Sequence, residues 1–500
     1  MDERFPIQAG PTPPGAPEDG ASLGARALRG TLWTTGGYLL RQAIRLGSNL
    51  VLARLLFPEA FGLMALVNVF LTGLGMFSDL GIGLNVVQSR RGDDPVFLDT
   101  AYTVQVLRGV VLFAAALAAA WPVAAFYDAP ELLWMIPVAG VAVLLQGFYS
   151  TGVYRLQRHL SLARFELVET AGQVVPAVVM VAWALVSPTV WALVAGAVVG
   201  NVVRVILSHW IVADHRPRLR WEPAAARELV DFGKWVFLST ILTFLADQTD
   251  RLLVGKLVPL ALLGAYSIAA MFAHLPVQLM TKLGALIAFP VFSRTRDRQH
   301  DLEPVFRRAR RPLFAVGGAV VIVLAISARP LIETLYDPRY APAGWMLALL
   351  AVRSWFQILQ VPRQSALLAL GQPRSVATTN GVKLAAMGIL VPVGYSAAGL
   401  EGVILALVAA DAMRFAAMAW VSSALGVRSL GADIAVSGIL GAMVVIGTLL
   451  VAALDSEGVA ASRCLLAALL AATVLWAPVA YGLLRGERRL LLSLRARRPV

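Results

Sequence analysis

The chain has 500 residues, 58% hydrophobic and only 15% charged, with a mean hydropathy of +0.72. Soluble globular chains carry roughly 25% charged residues, so a soluble domain is excluded and an integral membrane protein is indicated. A net charge of +13 would suggest nucleic acid in a soluble protein, but basic residues of a membrane chain are first sorted by side, and no nucleic-acid partner is expected. The one cysteine, Cys464, can build neither a disulfide framework nor a thiolate metal site, and neither metal nor cofactor is expected.

The chain opens on "MDERFPIQAGPTPPGAPEDGASLGA", which has no apolar core and mixes acids with prolines. It reads as a disordered cytoplasmic tail over 1–27, not a signal peptide. Windows long enough to cross a bilayer, about 20 residues each, then give about 14 spans. The span at 31–53 carries Arg41, Arg45 and Asn49 at four-residue spacing, which puts them on one helix face. Spans at 61–85, 99–125, 131–152, 166–186 and 190–212 complete a first group of six over 28–213, with Asp79, Arg108 and Arg204 inside or near them. A basic linker, 214–232, contains "HRPRLRW".

The span at 233–254 holds Asp247, Asp250 and Arg251, with Lys256 just beyond it at the membrane edge. Asp247 and Arg251 are four residues apart and share a face, and either acid could hold the arginine. The span at 262–290 repeats the four-residue spacing in His274, Gln278 and Lys282. Spans at 313–328, 343–370, 376–395 and 401–425 close a second group of six over 233–425. They contribute Arg353, Lys383, Asp411 and Arg414. Two more, at 433–454 and 464–484, form an appendage over 426–484, followed by a basic tail, 485–500. The predicted class is all-α and membrane-embedded.

Alternate connections differ sharply in charge. Those on one side hold "SRTRDRQHDLEPVFRRARR" and similar runs, while those on the other hold only Arg54, Lys256, Arg329, Arg339 and Arg463. Lys and Arg accumulate on the cytoplasmic side, so both termini are expected inside. The outer connections are short, which leaves no room for an external catalytic domain. Sliding the chain by about 202 residues lays Trp33 on Trp235, Arg54 on Lys256 and Gly62 on Gly264. The offset spans six helices, so the copies have the same orientation, as in transporters built from two parallel bundles. The same alignment sets Arg45 on Asp247 and, after a one-residue slip, Asp79 on Lys282. Charge is thus reversed at two matched positions, and cross-lobe pairs that open and close a gate are expected there.

Four stretches, "FSDLGIGLNVVQS", "TDRLLVGKLVPLALLGAYSIA", "GALIAFPVFSR" and "LALGQPRSVATTNG", resemble the polysaccharide flippases of the multidrug/oligosaccharidyl-lipid/polysaccharide exporter superfamily, in particular the colanic-acid-type exporters. The resemblance runs from about residue 28 to 425. It implies two six-helix lobes around a central cavity, alternating access, and a bacterial inner-membrane flippase with no enzymatic activity. The implied cargo is an undecaprenyl-pyrophosphate-linked oligosaccharide. A polysaccharide polymerase and export machinery would be partners alongside the lipid bilayer.

A charge in a span costs roughly 2.5–3.5 kcal/mol near its centre, so it faces a cavity or a partner. For a pyrophosphate cargo the expected ligands are Arg41, Arg45, Asn49, Arg251, Lys282, Arg353 and Lys383, because guanidinium groups bind phosphate oxygens bidentately. Asp79, Asp247 and Asp250 are expected to gate or to couple an ion. The structural alternatives are snorkelling of Arg41 and Arg45 and packing pairs for the aspartates.

Two other functions compete. A multidrug cation antiporter of the same superfamily would favour an acidic cavity, yet the spans hold more Lys and Arg than Asp and Glu. A polymerase or ligase acting on lipid-linked sugar needs a catalytic external loop. No phosphate-binding GxxxxGK[ST] loop and no HExxH motif occurs in the sequence.

Overall fold

In hydrocarbon every backbone polar group must be satisfied within the chain, which leaves the helix as the way for this sequence to cross. The computed structural model describes residues 20–76, 81–159, 161–212, 216–285, 292, 302–427 and 429–495. In chain order the helices are α1 (Gly20–Leu55), α2 (Pro58–Met76), α3 (Ile82–Gln88), α4 (Pro95–Tyr127), α5 (Leu132–Gly147), α6 (Gly152–Arg158), α7 (Leu162–Val186) and α8 (Trp191–Ile211). They continue as α9 (Pro223–Leu257), α10 (Leu260–Leu283), α11 (Leu302–Leu335), a 3-10 turn at Pro338–Tyr340, α12 (Pro342–Ala369), α13 (Pro373–Ala424), α14 (Leu430–Ser456) and α15 (Ala461–Arg495). The outer surface carries many large apolar side chains, Val186, Trp210 and Trp420 among the most exposed, as lipid contact requires.

By length and apolarity 10 described helices can span a membrane, or 11 if the pair α5 and α6, bent by 62°, is one crossing. The expected fourteen is not reached on this measure, and the shortfall has physical causes. α1 and α9 each reach the required length but carry polar clusters, Arg41 to Asn49 and Asp247 to Arg251. α13 runs unbroken by hydrogen bonding but breaks at Ala398 and Gly399, where Gly399 has φ 56°, a conformation that glycine alone enters freely. A Cβ on Gly402 would fall 1.9 Å from the Gly394 carbonyl oxygen. In a straight helix those residues would be about 12 Å apart along the axis, so α13 folds back on itself as two arms.

Several boundaries also move. Helix α1 begins at Gly20, within the expected tail, because "GASLGARALRG" is rich in good helix formers. Helix α9 begins within the expected linker, with Pro223 in its first turn, where its missing N–H costs nothing. Helix α15 continues to Arg495 through the expected basic tail.

The largest core joins both halves of the chain, from Leu56 and Val67 to Tyr266 and Tyr340. The last two helices, α14 and α15, pack against the second half. Trp476 of α15 lies against Gly318 and donates through Nε1 to the Ala315 carbonyl at 2.7 Å. Asp433, in the first turn of α14, is buried between Arg310 of α11 and Arg363 of α12, and Arg363 also donates to Ser422 Oγ at 2.6 Å.

Candidate functional site

The two halves meet most closely where α1, α4, α9 and α11 end. Gly62 of α2 and Gly264 of α10, matched by the repeat, lie against each other's neighbours. A Cβ on Gly62 would fall 2.2 Å from the Leu260 carbonyl oxygen, and one on Gly264 1.9 Å from that of Pro58. Pro58 and Leu260 are themselves repeat partners, so the contact is two-fold.

Beside it, Lys256 Nζ donates to the Phe126 carbonyl at 2.5 Å and pairs with Asp128 at 3.2 Å. Its repeat partner Arg54 donates to the Leu335 carbonyl at 3.4 Å. Those acceptors are matched too, since "FYDAPELLWM" from Phe126 and "LYDPRYAPAGWM" from Leu335 share a Tyr-Asp step and a later Trp-Met. Each half therefore clasps the other through a base at the end of its first helix. Tyr340 adds a bond to the Leu56 carbonyl at 3.1 Å. Toward the opposite end of α1 the link is looser and made by side chains alone. Tyr38 donates to Gln278 at 3.3 Å, and Lys282 sits 3.1 Å from the centroid of the Tyr38 ring.

Between these two contacts lies a cavity of about 460 Å³ lined by α1, α2, α7, α8, α9 and α10. Asn49, Asn68, Gln173, Arg204 and Arg251 supply its main polar side chains, and no carboxylate lines it among the described residues. Arg251 donates to Gln248 at 3.4 Å, and Arg45, whose Nε has no partner, is close enough to feel the charge of Arg251. Asn49 Nδ2 lies 3.3 Å from Met271 Sδ, across the two halves.

Four further intramembrane charges neutralise one another in a buried cluster. Arg353 is buried between two aspartates, with Nη1 2.7 Å from Asp250 and Nε 2.7 Å from Asp411. Lys383 is 3.2 Å from Asp411, Tyr266 donates to Asp250 at 3.0 Å, and Gln357 donates to Asp411 at 3.1 Å. Two carboxylates and two cations so close together neutralise one another, which is the condition for keeping charges out of water.

Of the residues expected at the site, Asn49 and Arg251 line the cavity and Arg45 borders it. Arg41 does not: it pairs with buried Glu166 of α7. Arg353 and Lys383 are locked in the cluster just described, and Lys282 lies exposed over Tyr38. Asp79 lies outside the described residues.

The pairing expected between Arg45 and Asp247 is not made here. Asp247 is exposed and within electrostatic reach of Lys383 and Arg414, and makes no ion pair with Arg45 among the described residues. Nor does Asp250 hold the Arg251 guanidinium; it accepts only the Arg251 backbone N–H, at 2.8 Å. The residue missed at the site is Arg204, a lone charge in an apolar run whose only sequence signal is its cost in lipid.

A family model for polysaccharide biosynthesis proteins matches residues 51–344. The chain belongs to this family. Among curated members of similar sequence is the teichuronic acid biosynthesis protein TuaB of Bacillus subtilis, 23% identical over 59% of this chain and 61% of that protein. Another is the lipopolysaccharide biosynthesis protein WzxC of Escherichia coli, 21% identical over 70% of this chain and 71% of that one. The chain thus spans under two thirds of the Bacillus relative.

Among solved structures the lipid II flippase MurJ, in an inward closed conformation, superposes with a TM-score of 0.70 at 11% identity, covering 91% of this chain and 99% of that one. An inward-facing multidrug resistance transporter of the MATE family, of the MOP superfamily, gives 0.60 at 13%, covering 76% and 93%. This polysaccharide biosynthesis protein therefore has the all-helical transporter fold that its sequence resembles, in a multi-pass membrane chain.

Proposed function

We propose that the protein flips undecaprenyl-pyrophosphate-linked oligosaccharides from the cytoplasmic to the outer leaflet of the bacterial inner membrane. The observation that carries this is the central cavity, whose charged lining is Arg204 and Arg251, with Arg45 beside them; the carboxylate nearest these cations, Glu169, pairs with Arg204 from outside the lining. Such a site replaces the hydration of a pyrophosphate while it crosses about 30 Å of hydrocarbon. Lobes of residues 28–213 and 233–425, joined by 214–232, rock about that cavity, and both termini lie in the cytoplasm. The clasped end then faces outward and the looser Tyr38 contact faces inward, so cargo enters from the cytoplasm. The protein makes and breaks no covalent bond, and passes its cargo to a polysaccharide polymerase and export machinery.

A cation antiporter with this fold would need carboxylates where this cavity has guanidinium groups. The test is a deletion strain complemented with wild type or with Arg251→Gln. Lipid-linked repeat units should accumulate on the inner leaflet in the deletion and with the variant. Unchanged surface polymer in the deletion, with no second exporter present, would end the transport reading.

A further inference from the structure

A second cavity, of about 380 Å³, opens inside the first half of the chain between α4, α5, α6, α7 and α8. It shares Asn201 and Arg204 with the central cavity, so the two adjoin at that wall. Its chemistry differs. It holds a carboxylate, Glu169, which accepts from Tyr149 at 3.3 Å and pairs with the shared Arg204 at 3.4 Å, and a second arginine, Arg108, which donates to the Gly75 carbonyl at 2.6 Å. The side-chain amides of Gln146 and Gln157 line it and make no hydrogen bond among the described residues. Its back wall is fixed: Gln105 donates to the carbonyls of Gln146, Gly147 and Tyr149 at 3.2, 3.2 and 2.8 Å.

We propose that this compartment is a saccharide subsite, which takes the uncharged polyhydroxyl units of the cargo while the arginines next door take its pyrophosphate. The inference rests on the transport reading above. Free amides offer donors and an acceptor together, which is what a hydroxyl group needs on both its oxygen and its proton. The carboxylate accepts from hydroxyl groups and repels phosphate. Tyr149 and Tyr154 present flat faces with polar tips at the same wall. A pocket with a few convergent polar groups and a rigid frame is where specificity resides. Arg204, at the shared wall, marks the join between sugar and phosphate.

The test is binding of two lipids to the purified full-length chain: undecaprenyl pyrophosphate alone, and the same lipid bearing the repeat unit, extracted from cells that lack the protein. Wild type is compared with Val205→Trp, which fills the compartment, and with Gln157→Leu, which keeps its volume. Both are checked for monodispersity, and Gln157→Leu carries the test if the larger substitution does not fold. The repeat-unit lipid should bind wild type more tightly than the bare lipid, and the variants should lose that advantage by about tenfold while binding the bare lipid as before. A sugar advantage that persists in both variants, or equal affinity of wild type for the two lipids, overturns the subsite and leaves the flippase standing. If wild type binds neither lipid, both readings fall.

Discussion

At the residue scale, the intramembrane arginines divide by whether a carboxylate has reached them. Arg353 is 4% exposed and compensated on two sides, so Arg353→Met strands Asp250 in the core and leaves Asp411 with Lys383 as its one cationic partner among the described residues. The expected loss is about 3–5 kcal/mol, read as a lower unfolding midpoint in detergent. Arg251, with Gln248 as its side-chain hydrogen-bond partner among the described residues, should behave in the opposite way. Arg251→Gln should leave the midpoint unchanged and abolish export.

Outside the membrane Asp94 caps α4, accepting from the Val96 N–H at 3.0 Å, and pairs with Arg91 at 2.7 Å. The Arg91 hydrogen bond, opposed by partial burial and helped by the Val96 N–H, holds the Asp94 carboxyl below the usual range. A depressed carboxylate contributes stability above its ordinary range and loses it as pH falls through the lowered value. Asp94→Ala should therefore cost about 1 kcal/mol near neutral pH, and the gap from wild type should close on acidification.

The four-residue spacing of Arg41, Arg45 and Asn49 was legible in the sequence because helix period alone puts them on one face. Which arginine was free was not, because the deciding partner of Arg353 lies 58 residues away.

At the element scale, the clasped end depends on backbones that approach without side chains between them. Gly264→Leu would place several carbons where the Pro58 carbonyl now sits, and α2 and α10 must part. Cysteine introduced at Ser267, which lines the cavity, should then react faster with a membrane-impermeant thiol reagent added outside. An unchanged rate would mean that the glycine contact does not control access. The repeat alignment showed that these glycines match, but not that they touch each other's neighbours. The two arms of α13, parted at Ala398 and Gly399, match the separate spans expected at 376–395 and 401–425, whereas linear pattern says little about which helices meet, so the seating of α14 and α15 emerges only in three dimensions.

At the scale of the whole molecule, helix content and membrane class followed from composition, because apolar surface on this scale has no soluble solution. Sidedness is testable directly. Asp128 has an 85% exposed side chain at the clasped end and His159 a 56% exposed one at the other, while native Cys464 is buried. Asp128→Cys should be labelled in intact cells and His159→Cys only after permeabilisation; the reverse pattern would invert the membrane orientation.

The clasps themselves set how readily the molecule turns over. Lys256 is 42% exposed, and exposed ion pairs contribute at most about 1 kcal/mol, so each clasp is only a weak fastening. Both donors reach main-chain oxygens, which every residue type supplies, so the identity of residue 335 is free to drift while the grip remains; at 126 the Phe ring, 5.1 Å from Lys256 Nζ, adds a cation–π contact. What evolution can adjust is the donor. Exchanging the base at 54 or 256 would reset the resting balance between the two faces of the transporter without touching the surfaces that hold cargo.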